Sequence, residues 1–213
     1  MKYKWINNSE NNKLIIFFNG WGMDENVISH LDFEDFDIIM FYDYNTLDTD
    51  FNFSIINKYS EKNVVAWSMG VFISYIILNS LKINFTKKIA INGTLAPINE
   101  NFGIHPKIYN LTIQGFNANG QKKFINSMFS EENSFSIDSL TRDLENQKTE
   151  LISIKEFASS FCNFQKDFFN KIIISSNDKI FPTKSQTKFW QKDATINSGH
   201  CPFYIFSKWS ELI

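Results

Sequence analysis

Apolar residues along the chain gather into short runs that turn-forming residues interrupt. They are Lys13–Phe18, Phe36–Tyr42, Asn63–Trp67, Lys87–Ile91, Lys171–Ser175 and Ala194–Asn197. Most are rich in isoleucine, valine and phenylalanine and do not alternate with polar residues. That is the pattern of strands covered on both faces, as in a parallel sheet. Helix-length segments separate them: Phe51–Ser60, Met69–Leu81 and Thr183–Trp190, with Phe203–Ile213 reading as a last helix. Strand–helix alternation predicts an α/β sheet with right-handed crossovers.

The alternation lapses between Tyr109 and Asn170. Tyr109–Phe116 suits one further strand, whereas Gly120–Ser130, Ser136–Ile154 and Lys155–Phe169 read as helices. The second of these opens on an N-cap at Ser136 or Asp138. The pattern therefore divides the chain into a core, residues 1–108 and 171–213, and a helical cap insert, residues 109–170.

Composition narrows the setting. A net charge of −2 argues against a general nucleic-acid binder. Arg142 is the only arginine, and lysine, asparagine, isoleucine and phenylalanine dominate, a bias that leaves the lysine count little functional weight. Cys162 and Cys201 do not make a disulfide framework in 213 residues, which fits a reducing compartment. The opening MKYKWINNSENNK lacks the apolar core of a signal peptide. No apolar run reaches the ~18 residues of a membrane helix. A soluble, cytoplasmic protein is expected.

The chemistry starts in the stretch VVAWSMGVFISYIILNSL, Val64–Leu81, where one serine joins a strand to a helix. Ala66 and Gly70 are small enough to let the two elements approach. A serine at such a turn is held in a strained conformation with its hydroxyl above the sheet. Ala66 stands where the common pattern has its first glycine and adds only a methyl group. The N–H of Met69, at the helix N-terminus, can donate to a developing oxyanion. A plain N-cap serine for the helix is the alternative role of Ser68.

A nucleophilic serine needs a base, and the base needs an orienting carboxylate. Of the histidines, His30 falls inside a helix expected around Asp24–Leu31, and His105 falls in a loop. His200, in NSGHCPF, lies just past the last expected strand, where α/β active sites gather, and it fits the chain order Ser…Asp…His. Asp178 is the only acid in the loop after Lys171–Ser175, although an Asx turn would explain it too. Asp167 and Asp193 fit less well. Cys201 adjoins His200, but adjacent loop residues seldom aim at one point. In FFNGWGMDE, Phe17–Glu25, Gly20 and Gly22 permit a backbone that turns an N–H toward the site. Trp21 would supply that second oxyanion donor while its indole walls the pocket. A glycine-rich turn with a packed tryptophan is the plainer explanation.

Together these stretches resemble the α/β-hydrolases. FFNGWGMDENVI, VVAWSMGVFIS, INGTLAPINENFGIHPKIY and NSGHCPF are most similar to the pimeloyl-[acyl-carrier protein] methyl ester esterases of biotin synthesis, in the short BioG-type branch (the DUF452 family). They span almost all of the chain from Leu14 onward. The resemblance implies a mostly parallel sheet flanked by helices, with a helical cap, and hydrolysis of a pimeloyl-carrier methyl ester to the acid and methanol. It makes Ser68 the nucleophile, His200 the base, Asp178 its orienter, and Trp21 and Met69 the oxyanion donors. Asn19 departs from the histidine that many hydrolases place before the glycine of the oxyanion loop.

No metal or other cofactor is implied, and no Cys/His ligand spacing appears. The implied partner is an acyl carrier protein, and a monomer is expected. Phe124 and Phe129 are the insert aromatics expected to bind substrate together with Trp21. Lys122, Lys123, Arg142, Lys148, Lys155 and Lys166 would attract an acidic carrier, although a solvated lysine-rich face explains them equally well. Two rival readings keep the same residues: a general short-chain carboxylesterase or thioesterase, and a hydrolase-like binding module without catalysis. The second is disfavoured because serine, histidine, aspartate and both donor loops occur in one chain.

Overall fold

The computed structural model describes residues 1–129, 140–161 and 164–213. β1 (Lys2–Asn7), β2 (Lys13–Phe18), β3 (Phe36–Tyr42), β4 (Glu61–Trp67), β5 (Lys87–Ile91) and β6 (Lys171–Ile173) form one six-stranded sheet. Its order is β1-β3-β2-β4-β5-β6, with β1 antiparallel to β3 and every other pair parallel. The strands expected from the apolar runs are thus the parallel part of the sheet, apart from the last.

Alternate side chains of each strand feed two cores. Leu14, Ile16 and Phe18 of β2 join one face, and Ile15 and Phe17 join the other. The first core includes α1 (Met69–Leu78), which is apolar nearly all round and buried from Met69 through Tyr75. The second packs Phe203 and Trp209 edge-on against Phe17. Each fully buried phenylalanine contributes about 1.5–3 kcal/mol.

Several elements differ from the sequence pattern. β1 has no counterpart among the expected strands. Lys2 and Lys4 point outward while Tyr3 and Trp5 are half-buried, so the strand reads as polar. Charged side chains of this kind suit an edge strand, which must not pair further. The expected strand at Ala194–Asn197 shrinks to a single bridge between Ser175 and Ile196. There Asn197 turns its Oδ1 toward Ser176 Oγ and Asn177 Nδ2. The expected helices at Phe51–Ser60, Asp24–Leu31 and Phe203–Ile213 are only 3₁₀ turns, at Phe53–Lys58, Glu25–Ile28, Phe203–Ile205 and Trp209–Glu211.

Between β5 and β6 the chain forms α2 (Pro106–Gly115), α3 (Ala118–Met128) and α4 (Leu144–Ser160). The strand expected at Tyr109–Phe116 is therefore mostly the C-terminal part of α2. Pro106 occupies its first turn, and His105 caps it by accepting the Lys107 N–H. α4 starts at the N-cap Asp143, whose carboxylate accepts the Asn146 N–H. The caps expected at Ser136 and Asp138 lie outside the described residues, as does Cys162. α4 also takes in the start of the segment expected as a third helix, Lys155–Phe169. Among the described residues that follow, there is a 3₁₀ turn at Lys166–Phe168. α5 (Thr183–Trp190) stands as expected.

Candidate active site

Only Ser68 separates the end of β4 from the start of α1, and it turns the chain at φ 59° and ψ −123°. A non-glycine residue there stores of order 1–3 kcal/mol of strain, which the surroundings must impose. They do so by close approach. A Cβ on Gly70 would lie 2.3 Å from the Phe18 carbonyl oxygen and 2.6 Å from that of Asn19. A Cβ on Gly93 would lie 2.3 Å from the carbonyl oxygen of Ser68. The helix start is thus wedged between the ends of β2 and β5, and Ser68 makes no capping hydrogen bond.

Its hydroxyl meets an imidazole instead. Ser68 Oγ lies 2.8 Å from His200 Nε2, and His200 Nδ1 lies 2.8 Å from Asp178 Oδ2. Side chains that are 132 and 22 residues apart in sequence form one hydrogen-bonded series. All three residues are buried. Asp178 Oδ1 accepts the N–H groups of Ile180 and Phe181, and Oδ2 also accepts Gln186 Nε2. With the carboxylate so held, the network assigns the Nδ1–H tautomer to His200 and leaves Nε2 free to accept the serine proton. The His200 carbonyl is fixed as well, accepting Trp67 Nε1 and Asn92 Nδ2, each at 2.8 Å.

Asn92 is a positioning residue that the sequence pattern does not single out. It is fully buried, has φ 47°, and its Oδ1 accepts the Ser175 N–H at 2.8 Å. One side chain therefore ties the end of β5 to the loops carrying Asp178 and His200. The available signal is an Asn-Gly pair directly after a strand, a sequence suited to a left-handed turn residue.

The other wall is the loop after β2. Asn19 is fully buried; its Oδ1 accepts the Gly20 N–H at 2.8 Å, and its Nδ2 donates to the Asp24 carbonyl at 2.9 Å. Met23 N–H donates to the Gly20 carbonyl, and Gly22 has φ 74°, so the loop makes a tight turn that needs glycine. Among the described residues, neither the Trp21 nor the Met69 backbone N–H donates to another group. Both residues line the same pocket as Ser68 and His200.

That pocket has a volume of about 100 Å³. Trp21, Ile104, Tyr109, Phe124, Met128 and Leu151 make it mainly apolar. The Trp21 indole donates to the Gln147 carbonyl at 2.7 Å and meets Phe116 and Phe124 edge-on. Phe129, expected beside Phe124, does not line it. At the end of α3 its ring faces Tyr204 instead, because Met128 takes the inward position.

The remaining candidates fall elsewhere. His30 stacks on Tyr204 and lies 3.1 Å from the Phe203 carbonyl. Burial pushes the Cys201 thiol well up, which opposes a thiolate nucleophile. Arg142 is not part of an exposed basic face. Its side chain is 6% exposed and pairs with the fully buried Glu150 at 2.7 Å.

Residues 1–212 match the family described as "Pimeloyl-ACP methyl esterase BioG". This chain belongs to the BioG family. A crystal structure of BioG from Haemophilus influenzae superposes with a TM-score of 0.88 at 30% identity, covering 100% of this chain and 99% of that one. A Bacteroides fragilis protein named malonyl-[acyl-carrier protein] O-methyltransferase is 36% identical over 183 residues, 84% of this chain. The chain spans 36% of that longer relative. An esterase from Exiguobacterium antarcticum shares the fold at TM-score 0.68 and 16% identity, covering 93% of this chain and 87% of the esterase. The fold is that of the α/β-hydrolases, as the resemblance implied. Among the described residues of this BioG-family chain, no helix is long and apolar enough to cross a membrane.

Proposed function

We propose that this chain is a serine esterase of biotin synthesis that hydrolyses the methyl ester of a pimeloyl group carried on acyl carrier protein, releasing methanol and leaving the free acid on the carrier. The observation that carries the reading is the unbroken Ser68–His200–Asp178 hydrogen-bonded series on the wall of an apolar pocket, in a chain of the BioG family.

In this mechanism Ser68 Oγ attacks the ester carbonyl carbon while His200 Nε2 takes its proton. The carbonyl oxygen becomes an oxyanion facing the N–H groups of Trp21 and Met69; losing one such donor typically costs ~10²–10³ in rate. The tetrahedral adduct collapses, the carbon–methoxy bond breaks, and His200 returns the proton to the departing oxygen as methanol. Water, deprotonated by the same imidazole, then attacks the acyl-serine, and Ser68 leaves with the proton. Asp178 keeps the imidazole oriented and stabilises its charged form without taking the proton.

Residues 109–170 serve as a cap in this reading. Tyr109, Phe124, Met128 and Leu151 from α2, α3 and α4 give an acyl chain an apolar slot. Lys122, Lys123 and Lys155 are exposed on those helices and suit an acidic carrier. The methyltransferase name of the Bacteroides relative belongs to a much longer protein; in this chain the buried serine–imidazole contact supports removal of a methyl ester, not its formation.

The test compares kcat/KM for the carrier-linked pimeloyl methyl ester with that for the free methyl ester. The carrier-linked ester is expected to be favoured at least ~10-fold, through binding energy that the free ester cannot supply. Equal values would leave a general carboxylesterase.

A further inference from the structure

Glu150 is a buried charge for which the mechanism above has no use. Its carboxylate sits on α4 with no exposure, yet it reaches back to the loop that carries Trp21. Oε2 accepts the Gly22 N–H at 3.1 Å and the Arg142 Nη1 at 2.7 Å, while Oε1 accepts the Tyr44 N–H at 2.8 Å. The Tyr44 hydroxyl in turn donates to the Asn19 carbonyl at 2.8 Å. One carboxylate therefore grips the Asn19–Met23 loop directly at Gly22 and indirectly at Asn19.

The geometry of that grip bears on the oxyanion donor. In a planar trans peptide the N–H and C=O point in opposite directions. The Gly20 carbonyl faces inward across the turn to the Met23 N–H, so the Trp21 N–H of the same peptide faces away from it. The next peptide, Trp21–Gly22, distinguishes the two common turn forms, which differ by turning that peptide over. Gly22 at φ 74° with its N–H on Glu150 is the form that needs a left-handed third residue. An acceptor on α4 selects it. The Gln147 carbonyl, one helical turn earlier, holds the Trp21 indole at 2.7 Å and fixes the other end of the same residue.

We propose that Glu150 is a positioning residue for ester hydrolysis: paired with Arg142, it anchors the Gly22 N–H and so holds in place the Gly20–Met23 turn that presents the Trp21 N–H to the oxyanion. The inference rests on the serine esterase reading above. Arg142 matters because a buried carboxylate needs a partner, and its guanidinium supplies the nearest cation. Burial raises the carboxyl of Glu150 above its ordinary value, and Arg142 together with the Tyr44 and Gly22 N–H groups opposes this.

The test is Glu150→Gln, which keeps the shape but replaces one acceptor oxygen with a donor. On a short p-nitrophenyl ester, kcat should fall about 10–100-fold with KM within about threefold, part of the effect of losing an oxyanion donor. Affinity for a trifluoromethyl ketone, whose adduct with Ser68 carries an oxyanion, should fall by the same factor as kcat/KM. A carboxylate that merely stabilises the fold would lower the melting temperature and leave both quantities unchanged in the folded protein. Values within twofold of wild type would therefore overturn the proposal. If Glu150→Gln does not fold, Arg142→Lys, which keeps a charge but loses the fork, is measured in the same two ways. A parallel fall in both quantities would again support the proposal, and values within twofold of wild type would again overturn it. Wild-type protein inactive on every ester would instead remove the esterase reading itself, so the two failures are distinct.

Discussion

Ser68→Ala is expected to lower kcat for ester hydrolysis by at least about 10⁴-fold, with little change in melting temperature. In the proposed mechanism the triad acts as a unit, so removing the nucleophile alone should cost about as much as removing all three members. What should survive is the modest rate enhancement that the pocket and the proposed Trp21 and Met69 donors would give to attack by water. Stability should hold because alanine at φ 59° carries the same strain as serine, and the lost contact is one hydrogen bond to His200 Nε2. Such a bond contributes roughly 0.5–1.5 kcal/mol net. Turnover of a p-nitrophenyl ester and a thermal melt on the same preparation check both halves. Full activity in the variant would remove the serine mechanism.

Gly70→Ala should be severely destabilising. Its Cβ would sit 2.3 Å from the Phe18 carbonyl oxygen and 2.6 Å from that of Asn19, both backbone atoms at the end of β2. No rotamer relieves a clash with backbone, so either α1 or the end of β2 must move. Overpacking a well-filled site costs typically 1–3 kcal/mol, and backbone against backbone lies above that range. A loss of more than about 3 kcal/mol is expected, a large share of the ~5–15 kcal/mol that holds a domain folded. Urea denaturation measures it. Molecules that do fold should also lose activity, because the displaced carbonyl belongs to the loop that positions Trp21. A variant melting within ~2 °C of wild type would show that the close approach is not rigid.

The parts of the fold legible in the sequence are those fixed by local pattern. β2 to β5 are unbroken apolar runs because both faces of the sheet are covered, and the Ser68 junction is a matter of adjacent small residues. Asp178 and His200 stand out because α/β sheets bring functional loops to strand ends in a fixed chain order. β1 stays hidden because an edge strand with outward lysines has no apolar run. Tyr109–Phe116 looks extended for its isoleucine, threonine and tyrosine, yet the His105–Pro106 pair just before it is the stronger signal, a cap followed by a first-turn proline. The short 3₁₀ turns imitate helices because three to six apolar-patterned residues do not reveal whether a second turn follows. Glu150 and Arg142 are out of reach for another reason. Glu150 meets Gly22 across 128 residues and Tyr44 across 106, and nothing near it in sequence distinguishes it from a solvated acid.

The halves of the candidate site stand on unequal ground. Ser68 and Trp21 rise from β4 and β2 in the middle of the sheet, whereas Asp178 and His200 come from beyond β6, a strand of three residues at its margin. Past Ile173 the ladder gives way to the Ser175–Ile196 bridge, a few neighbouring backbone hydrogen bonds, and the side chains of Asn92 and Trp67 on the His200 carbonyl. Segments with so little pairing open at lower free energy than the centre of a sheet. Fraying there would draw the imidazole away from the hydroxyl while the central strands stayed joined, so warming disarms the chemistry before it dissolves the sheet.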